Sequence, residues 1–265
     1  MNLRFAANLS MLFPEVPFLD RFALAAKAGF STVEFLFPYQ EGVDKIGTYL
    51  DDLGLAVALF DVPPGDTAVG EFGTLGLPSR RDYFRRTFVS ALEAARRLKC
   101  SRVNVLFGNR DSDLDPEAQI SCAIENLVWA APQAAETGVV LLVESLNATD
   151  FPDYFLHTTA AAMEIITAVN HPQVKLQYDV YHAQMTEGNL IHTITCCFTH
   201  IEHIQIADVP GRHEPGTGEI NYQAIFTRLE ELAYQGYIGL EYRPSQETMA
   251  SLNWLPVEFR KSPSF

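Results

Sequence analysis

The stretch Val139-Val140-Leu141-Leu142-Val143-Glu144 restricts the folds open to this chain more than any other. Apolar residues follow one another without alternation and stop at a carboxylate. A run of this kind reads as a strand buried on both faces, the habit of parallel sheets. A charge at its carboxyl end is either a paired structural ion or a working group at the mouth of a sheet. One such strand means little, but several strands in this chain end the same way.

Strand-like segments are expected at Leu3–Ala7 (ending at Asn8), Ser31–Phe35, Leu55–Phe60 (ending at Asp61) and Arg102–Phe107. After the central run come Val174–Tyr178 (ending at Asp179), Ile201–Ile206 and Tyr237–Tyr242. Helical spacing of apolar residues falls between them: Pro17–Ala28, Glu41–Leu53, Ser79–Leu98, a helix opened by Asp115-Pro116, Thr159–Val169, Leu190–Phe198, Tyr222–Leu232 and Thr248–Phe259. Pro132 is expected to kink or divide the fourth helix, and Pro256 to limit the last. Val62 to Pro78 forms a long loop rich in Pro and Gly. Strands alternating with helices predict a parallel sheet with helices outside. No composition shift marks a boundary, so residues 1–265 are expected to form one α/β domain, a single (β/α)8 TIM barrel. A doubly wound open sheet is the competing fold, but no GxGxxG follows the first strand.

Acidic residues outnumber basic ones 33 to 19, a net charge of −14. That balance opposes unassisted binding to a phosphate backbone, so no nucleic-acid partner is expected. Neither a signal peptide nor an apolar run of membrane length is visible, which predicts a cytoplasmic protein without a membrane partner. Cys100, Cys122, Cys196 and Cys197 lack CxxC spacing and read as buried thiols in a reducing compartment. Aromatics such as Trp254 would mark a homo-oligomer interface or close the barrel.

In a barrel, residues at the carboxyl ends of strands face one shared mouth. That places Glu144, Asp179, Gln205 and Glu241 together. Each alone would serve in a salt bridge or hydrogen bond. Three carboxylates and an amide in one small site call for a cation, because like charges at close range repel. An all-oxygen set suits a hard divalent ion, Mg²⁺ or Mn²⁺. His182, Arg212, His213, Asn8 and Glu34 lie where they would contact substrate, with Pro63-Pro64-Gly65-Asp66 lining the rest of the mouth. His157, His171, His192 and His200 lie away from strand ends and read as structural.

Val143-Glu144, Leu176-Gln177-Tyr178-Asp179-Val180-Tyr181-His182, His203-Ile204-Gln205-Ile206-Ala207 and Gly239-Leu240-Glu241-Tyr242 resemble hydroxypyruvate isomerase. That family includes the 2-oxo-tetronate isomerases and belongs to the xylose-isomerase-like barrels. Leu59-Phe60, Pro63-Pro64-Gly65-Asp66, Arg212-His213-Glu214-Pro215 and Thr217-Gly218-Glu219 extend the resemblance over almost the whole chain. The resemblance implies a divalent metal held by Glu144, Asp179, Gln205 and Glu241, with Glu144 and Glu241 exchanging protons with substrate. A histidine usually fills the third ligand position in the related ketose epimerases, so Gln205 leans towards the hydroxypyruvate isomerase branch. The chain departs from the family at Phe72, Thr149 and near Met185, where arginines are expected, and at Ser145, where proline is. Arginine is the usual clamp for a substrate carboxylate. Arg212, Arg110 and Arg243 are the replacements available in sequence.

The leading expectation is a metal-assisted isomerase of a small 2-keto-3-hydroxy acid, of the hydroxypyruvate or 2-oxo-tetronate type, working through an enediolate. A neutral-ketose 3-epimerase or isomerase is the alternative, favoured by the missing arginines and opposed by Gln205. A non-catalytic sugar-acid binding protein is a third, opposed by retention of both glutamates. An endonuclease of the same superfamily would need more histidine ligands and a DNA-binding surface.

Overall fold

A computed structural model describes residues 3–261; the terminal residues of the expected 1–265 domain lie outside them. Nine strand segments form one sheet: β1 (Arg4–Asn8), β2 (Thr32–Glu34), β3 (Ala56–Val57), β4 (Phe60–Asp61), β5 (Arg102–Asn104), β6 (Val140–Glu144), β7 (Val174–Asp179), β8 (Ile201–Ile206) and β9 (Tyr237–Leu240). Every pairing is parallel, in the order β3-β2-β1-β9-β8-β7-β6-β5-β4. The two ends of that order are halves of one continuous stretch. Ala58 N–H donates to Val33 O (2.8 Å) and Asp61 N–H to Leu36 O (2.8 Å) on one side, while Val62 N–H donates to Asn104 O (2.9 Å) on the other. The expected third strand therefore closes the ring as one stave with a break in its middle, and the chain is an α/β TIM barrel.

The helices are α1 (Phe18–Lys27), α2 (Val43–Leu53), α3 (Arg81–Leu98), α4 (Pro116–Thr137), α5 (Thr159–Val169), α6 (Val180–Thr186), α7 (Leu190–Cys197), α8 (Tyr222–Glu231) and α9 (Thr248–Ser251). Their apolar stripes face the sheet: Phe22 and Ala25 of α1, Ile46 and Leu50 of α2, Phe84, Phe88 and Ala91 of α3 are all buried. Each large side chain so buried contributes roughly 1.5–3 kcal/mol of transfer free energy. Caps set the boundaries. Asp115 accepts from Glu117 N–H (3.1 Å) to open α4, and Thr158 from Ala161 N–H (3.2 Å) to open α5. Left-handed glycines at 54 and 138 end α2 and α4.

Parts of three expectations are corrected. Of the two outcomes expected at Pro132, division is excluded: the proline lies inside an unbroken α4. Gln133 Nε2 donates to Trp129 O at 2.8 Å and so supplies a donor where the proline disturbs the ladder, and Val128, whose carbonyl Pro132 cannot reach, is exposed to water. The terminal segment is not one helix: α9 gives way to short 3₁₀ turns at Leu252–Trp254 and Val257–Phe259, as Pro256 interrupts it. Trp254 is half-buried, stacks on Phe226 of α8 (6.1 Å, 16°) and meets the Phe5 ring edge-on (6.0 Å, 80°). The cysteines are all free, as expected, but Cys196 is exposed rather than buried. No helix among the described residues is long and apolar enough to cross a membrane.

Two backbone features place the mouth. Between β7 and β8 the register shifts by one residue after Leu176↔Ile201, giving Gln177↔His203 and Asp179↔Gln205. Because side chains alternate along a strand, the unshifted register would put Ile204 beside Asp179 instead of Gln205. The long loop after β4 is pinned at Gly73 (φ +107), where an added Cβ would lie 2.5 Å from Leu106 O and 2.6 Å from Gly108 N. Gly73→Ala is expected to cost about 2 kcal/mol, read as a lowered urea midpoint with unchanged slope; an unchanged midpoint would show that the loop is not pinned there.

Candidate active site

The carboxyl ends of the strands converge on a cleft of about 50 Å³. Its apolar lining is Met11, Leu36, Leu106 and Leu146 with the stacked pair Phe72–Phe151 (5.1 Å, 26°). Its polar lining is Asp61, Glu144, His182, Arg212 and Glu241. Each of these polar residues is at most 6% exposed, so the charges meet in a medium of low polarity.

Glu144 ends β6 and accepts from Asn104 Nδ2 at 2.8 Å. Burial holds its carboxyl well above the ordinary range, and repulsion from Glu241, Asp179 and Asp61 adds to the rise. Glu241 lies one residue past β9 and accepts from Arg212 Nη2 at 2.7 Å. Burial pushes it up to about 8; the Arg212 guanidinium opposes the rise, while Asp179 and Glu34 reinforce it. Asp61 is likewise held well above the usual range, by burial first and then by Glu241 and Glu34.

Asp179 ends β7 and caps α6: its Oδ1 accepts from Tyr181 N–H (2.7 Å) and His182 N–H (3.4 Å). Its Oδ2 lies 3.5 Å from Arg212 Nη2. Arg212 thus bridges two carboxyls, with its guanidinium 5.0 Å over the Tyr181 ring. It occupies a left-handed backbone position (φ 57), and its carbonyl accepts from Arg243 N–H at 2.7 Å.

His182 is buried, which lowers its pKa to about 4 and keeps the ring neutral near pH 7. Its Nδ1 accepts from the Asn147 backbone N–H at 3.1 Å. A neutral imidazole that accepts at one nitrogen carries its proton on the other. Nε2, 3.6 Å from Asp179 Oδ2, is therefore a donor aimed into the site. Glu144, Asp179 and His182 offer potential ligand atoms within 4.8 Å of one another, but this tautomer suits His182 to a substrate oxygen better than to a metal.

Gln205 lies beside Asp179 in register; its Oε1 accepts from Gln177 Nε2 at 2.6 Å and its Nε2 donates to Glu34 Oε1 at 3.0 Å. Asn8 also donates to Glu34 Oε1 at 3.0 Å. Glu34 is completely buried and Asn8 nearly so, and neither lines the cleft. His213 is half-buried and turns its Nδ1 to Arg243 O at 2.7 Å, also outside the cleft lining. Of the expected substrate contacts, then, the structure brings His182 and Arg212 to the cleft and leaves Asn8, Glu34 and His213 out of it. Of the replacement cations, Arg243 is exposed and Arg110 is spent on the carbonyls of Asp111 and Leu114.

Asp61, Asn104, Gln177 and His203 were not read as site residues. Asp61 closes its strand as the other carboxylates do, which was the available signal. Asn104 was hidden by a strand taken to run on to Phe107. His203 and Gln177 share faces with Gln205 and Asp179 two residues on, a period-2 signal that was present.

The profile of the xylose isomerase-like TIM barrels matches residues 22–256, and the chain belongs to that family. It is 45% identical over 252 residues to the 2-oxo-tetronate isomerase of Cupriavidus necator, covering 95% of this chain and 97% of that protein. It is 41% identical over 253 residues to the hydroxypyruvate isomerase of Escherichia coli, covering 96% and 98%. A crystal structure described as an AP endonuclease, family 2, from Brucella melitensis superposes with a TM-score of 0.93 at 43% identity, covering 95% of this chain and 97% of that one. By these relationships the chain is an isomerase of the hydroxypyruvate and 2-oxo-tetronate isomerase group.

The raised Glu241 carboxyl has a consequence for stability. Its contribution is fully present below the ordinary 4.5 and is lost as pH rises through about 8, because the folded state must then bury a charge the unfolded chain carries in water. The protein in EDTA is therefore expected to melt at a lower temperature at pH 9 than at pH 6, and Glu144→Gln to narrow that drop. A melting temperature that rises over the interval would contradict the crowding described here.

Proposed function

We propose that this chain interconverts a small 2-keto-3-hydroxy acid, of the hydroxypyruvate or 2-oxo-tetronate type, with its aldehyde or keto isomer, using Glu144 and Glu241 to move protons. The observation that carries this reading is the pair of buried carboxyls raised by burial and mutual repulsion on one small cleft. A carboxylate with a raised pKa is a better base towards a C–H than an ordinary one, and in its acid form it can return a proton near neutral pH. The names of the similar isomerases support the substrate class.

One glutamate takes the proton from the hydroxyl-bearing carbon. The electron pair moves towards the carbonyl, giving an enediolate, and the other glutamate delivers a proton to the former carbonyl carbon. The hydroxyl proton passes to the former carbonyl oxygen. Atoms and electrons balance without a redox partner. His182 Nε2–H and the Arg212 guanidinium hold substrate oxygens, and the apolar lining excludes water from the reactive intermediate.

The donor set fits a hard divalent cation, Mg²⁺ or Mn²⁺: Glu144 and Asp179 crowd together in a buried site where Arg212 is the only cationic side chain lining the cleft among the described residues. Glu144, Asp179, Gln205 and Glu241 would hold it. When bound it would supply Lewis acidity that lowers the cost of negative charge on the substrate oxygens.

The apolar Phe72–Phe151 pair and the single cation favour a second reading, a neutral-ketose 3-epimerase or isomerase. A nucleic-acid substrate is opposed by the net charge of −14 and the acidic cleft. A non-catalytic sugar-acid binder would have no use for two proton-exchanging glutamates.

Glu144→Gln and Glu241→Gln are each expected to lower kcat at least ~100-fold while unfolding stays cooperative. Retention of near-parental turnover in either would refute the role given to it. Initial rates on hydroxypyruvate, 2-oxo-tetronates and neutral ketoses, each with and without Mn²⁺, separate the two readings: metal-dependent conversion of the acids supports the first, conversion of ketoses alone the second.

A further inference from the structure

Glu34 was expected to touch substrate, yet it is completely buried. From β2 its carboxyl reaches over β1 and β9 to β8 in the sheet order. Gly239 on β9, the register partner of Gln205, leaves the room: an added Cβ there would lie 2.1 Å from Glu34 Oε1 and 2.4 Å from its Cδ. Three side-chain nitrogens approach this carboxyl. Asn8 Nδ2 and Gln205 Nε2 both reach Oε1 at 3.0 Å, and His203 Nε2 lies 2.8 Å from Oε2.

A side-chain amide has two faces of similar shape and opposite polarity, so something must choose which one looks into the site. We propose that Glu34 is a positioning residue that makes this choice for Gln205. By taking the amide's N–H, it turns Oε1 the other way, to where Gln177 Nε2 meets it at 2.6 Å. A carbonyl oxygen has two lone pairs. Gln177 takes one, and the other is left for the divalent cation that Asp179 would share. The inference rests on the metal reading of the site given above. It explains why a buried acid, a histidine and a glycine are spent on one amide away from the cleft wall. Partners that orient a ligand in this way typically change metal affinity 10–100-fold when removed.

The test is Mn²⁺ binding to the EDTA-stripped, dialysed full-length protein, read from the electron paramagnetic resonance signal of free Mn²⁺. Glu34→Met removes the acceptor and is expected to weaken binding at least ~10-fold. Glu34→Gln, which can keep an oxygen at the Oε1 position, is expected to stay within about threefold of wild type. The double variant Glu34→Met/Gln205→Ala should bind no worse than Gln205→Ala alone, because Glu34 acts through Gln205. If Glu34→Met does not unfold cooperatively, Glu34→Asp, which withdraws the acceptor by one methylene, is expected to lose about fivefold. Wild-type affinity in a folded Glu34→Met or Glu34→Asp, or additive losses in the double variant, would overturn the inference alone. Failure of the wild type to bind Mn²⁺ would overturn the metal reading and this inference with it.

Discussion

Repulsion among carboxyls in a dry mouth is the constraint on which the rest of this structure depends. Glu144, Asp179, Glu241 and Asp61 come from different strands, yet burial places their charges within reach of one another. The guanidinium of Arg212 bridges Asp179 and Glu241 and relieves part of that repulsion. The remainder appears as raised pKa values. A fold selected only for stability would replace such a cluster with apolar side chains. Its presence at the carboxyl end of a barrel is the physical argument for chemistry there.

The scaffold serves that cluster at specific points. The one-residue register shift between β7 and β8 puts an amide, not an isoleucine, beside Asp179. Gly239 opens the passage for Glu34. Asp179 itself has two tasks, since one oxygen caps α6 and the other faces Arg212. Asn147 sets the proton of His182 by donating its backbone N–H to Nδ1. The stacked Phe72–Phe151 pair lines the same cleft as these polar groups and limits the room for water beside them.

Much of this was legible in the chain. The unbroken apolar run ending at Glu144 reports a strand buried on both faces, and Thr159–Val169 and Ile201–Ile206 carry patterns strong enough to place their ends. The break in the third stave was not legible, because a change of hydrogen-bonding neighbour part-way along leaves no mark on the six-residue apolar pattern Leu55–Phe60. Nor was α6, a short helix started by the side chain of Asp179 rather than by periodicity. Within the site, strand position brings Glu144 and Glu241 to the cleft, spacing from Asp179 brings His182, and the charged loop after the seventh expected strand brings Arg212. Strand position could not tell a residue facing the cleft from one buried at its base, which is why Asn8 and Glu34 were read as substrate contacts. That distinction depends on side-chain reach across neighbouring strands, a property of the closed sheet. His213 was read from a charged loop, whose path the sequence does not encode by any period.

The central claim is that two different glutamates carry protons between substrate and solvent. The most direct measurement is the positional deuterium content of the isomer formed in D₂O with Mn²⁺, followed by NMR beside a control without protein. Proton removal by one carboxylate and delivery by the other requires solvent deuterium on the carbon that was the carbonyl in the starting compound. A product that carries the substrate's own hydrogen on that carbon, without deuterium above the control, would mean direct hydrogen transfer between the carbons and would contradict the account.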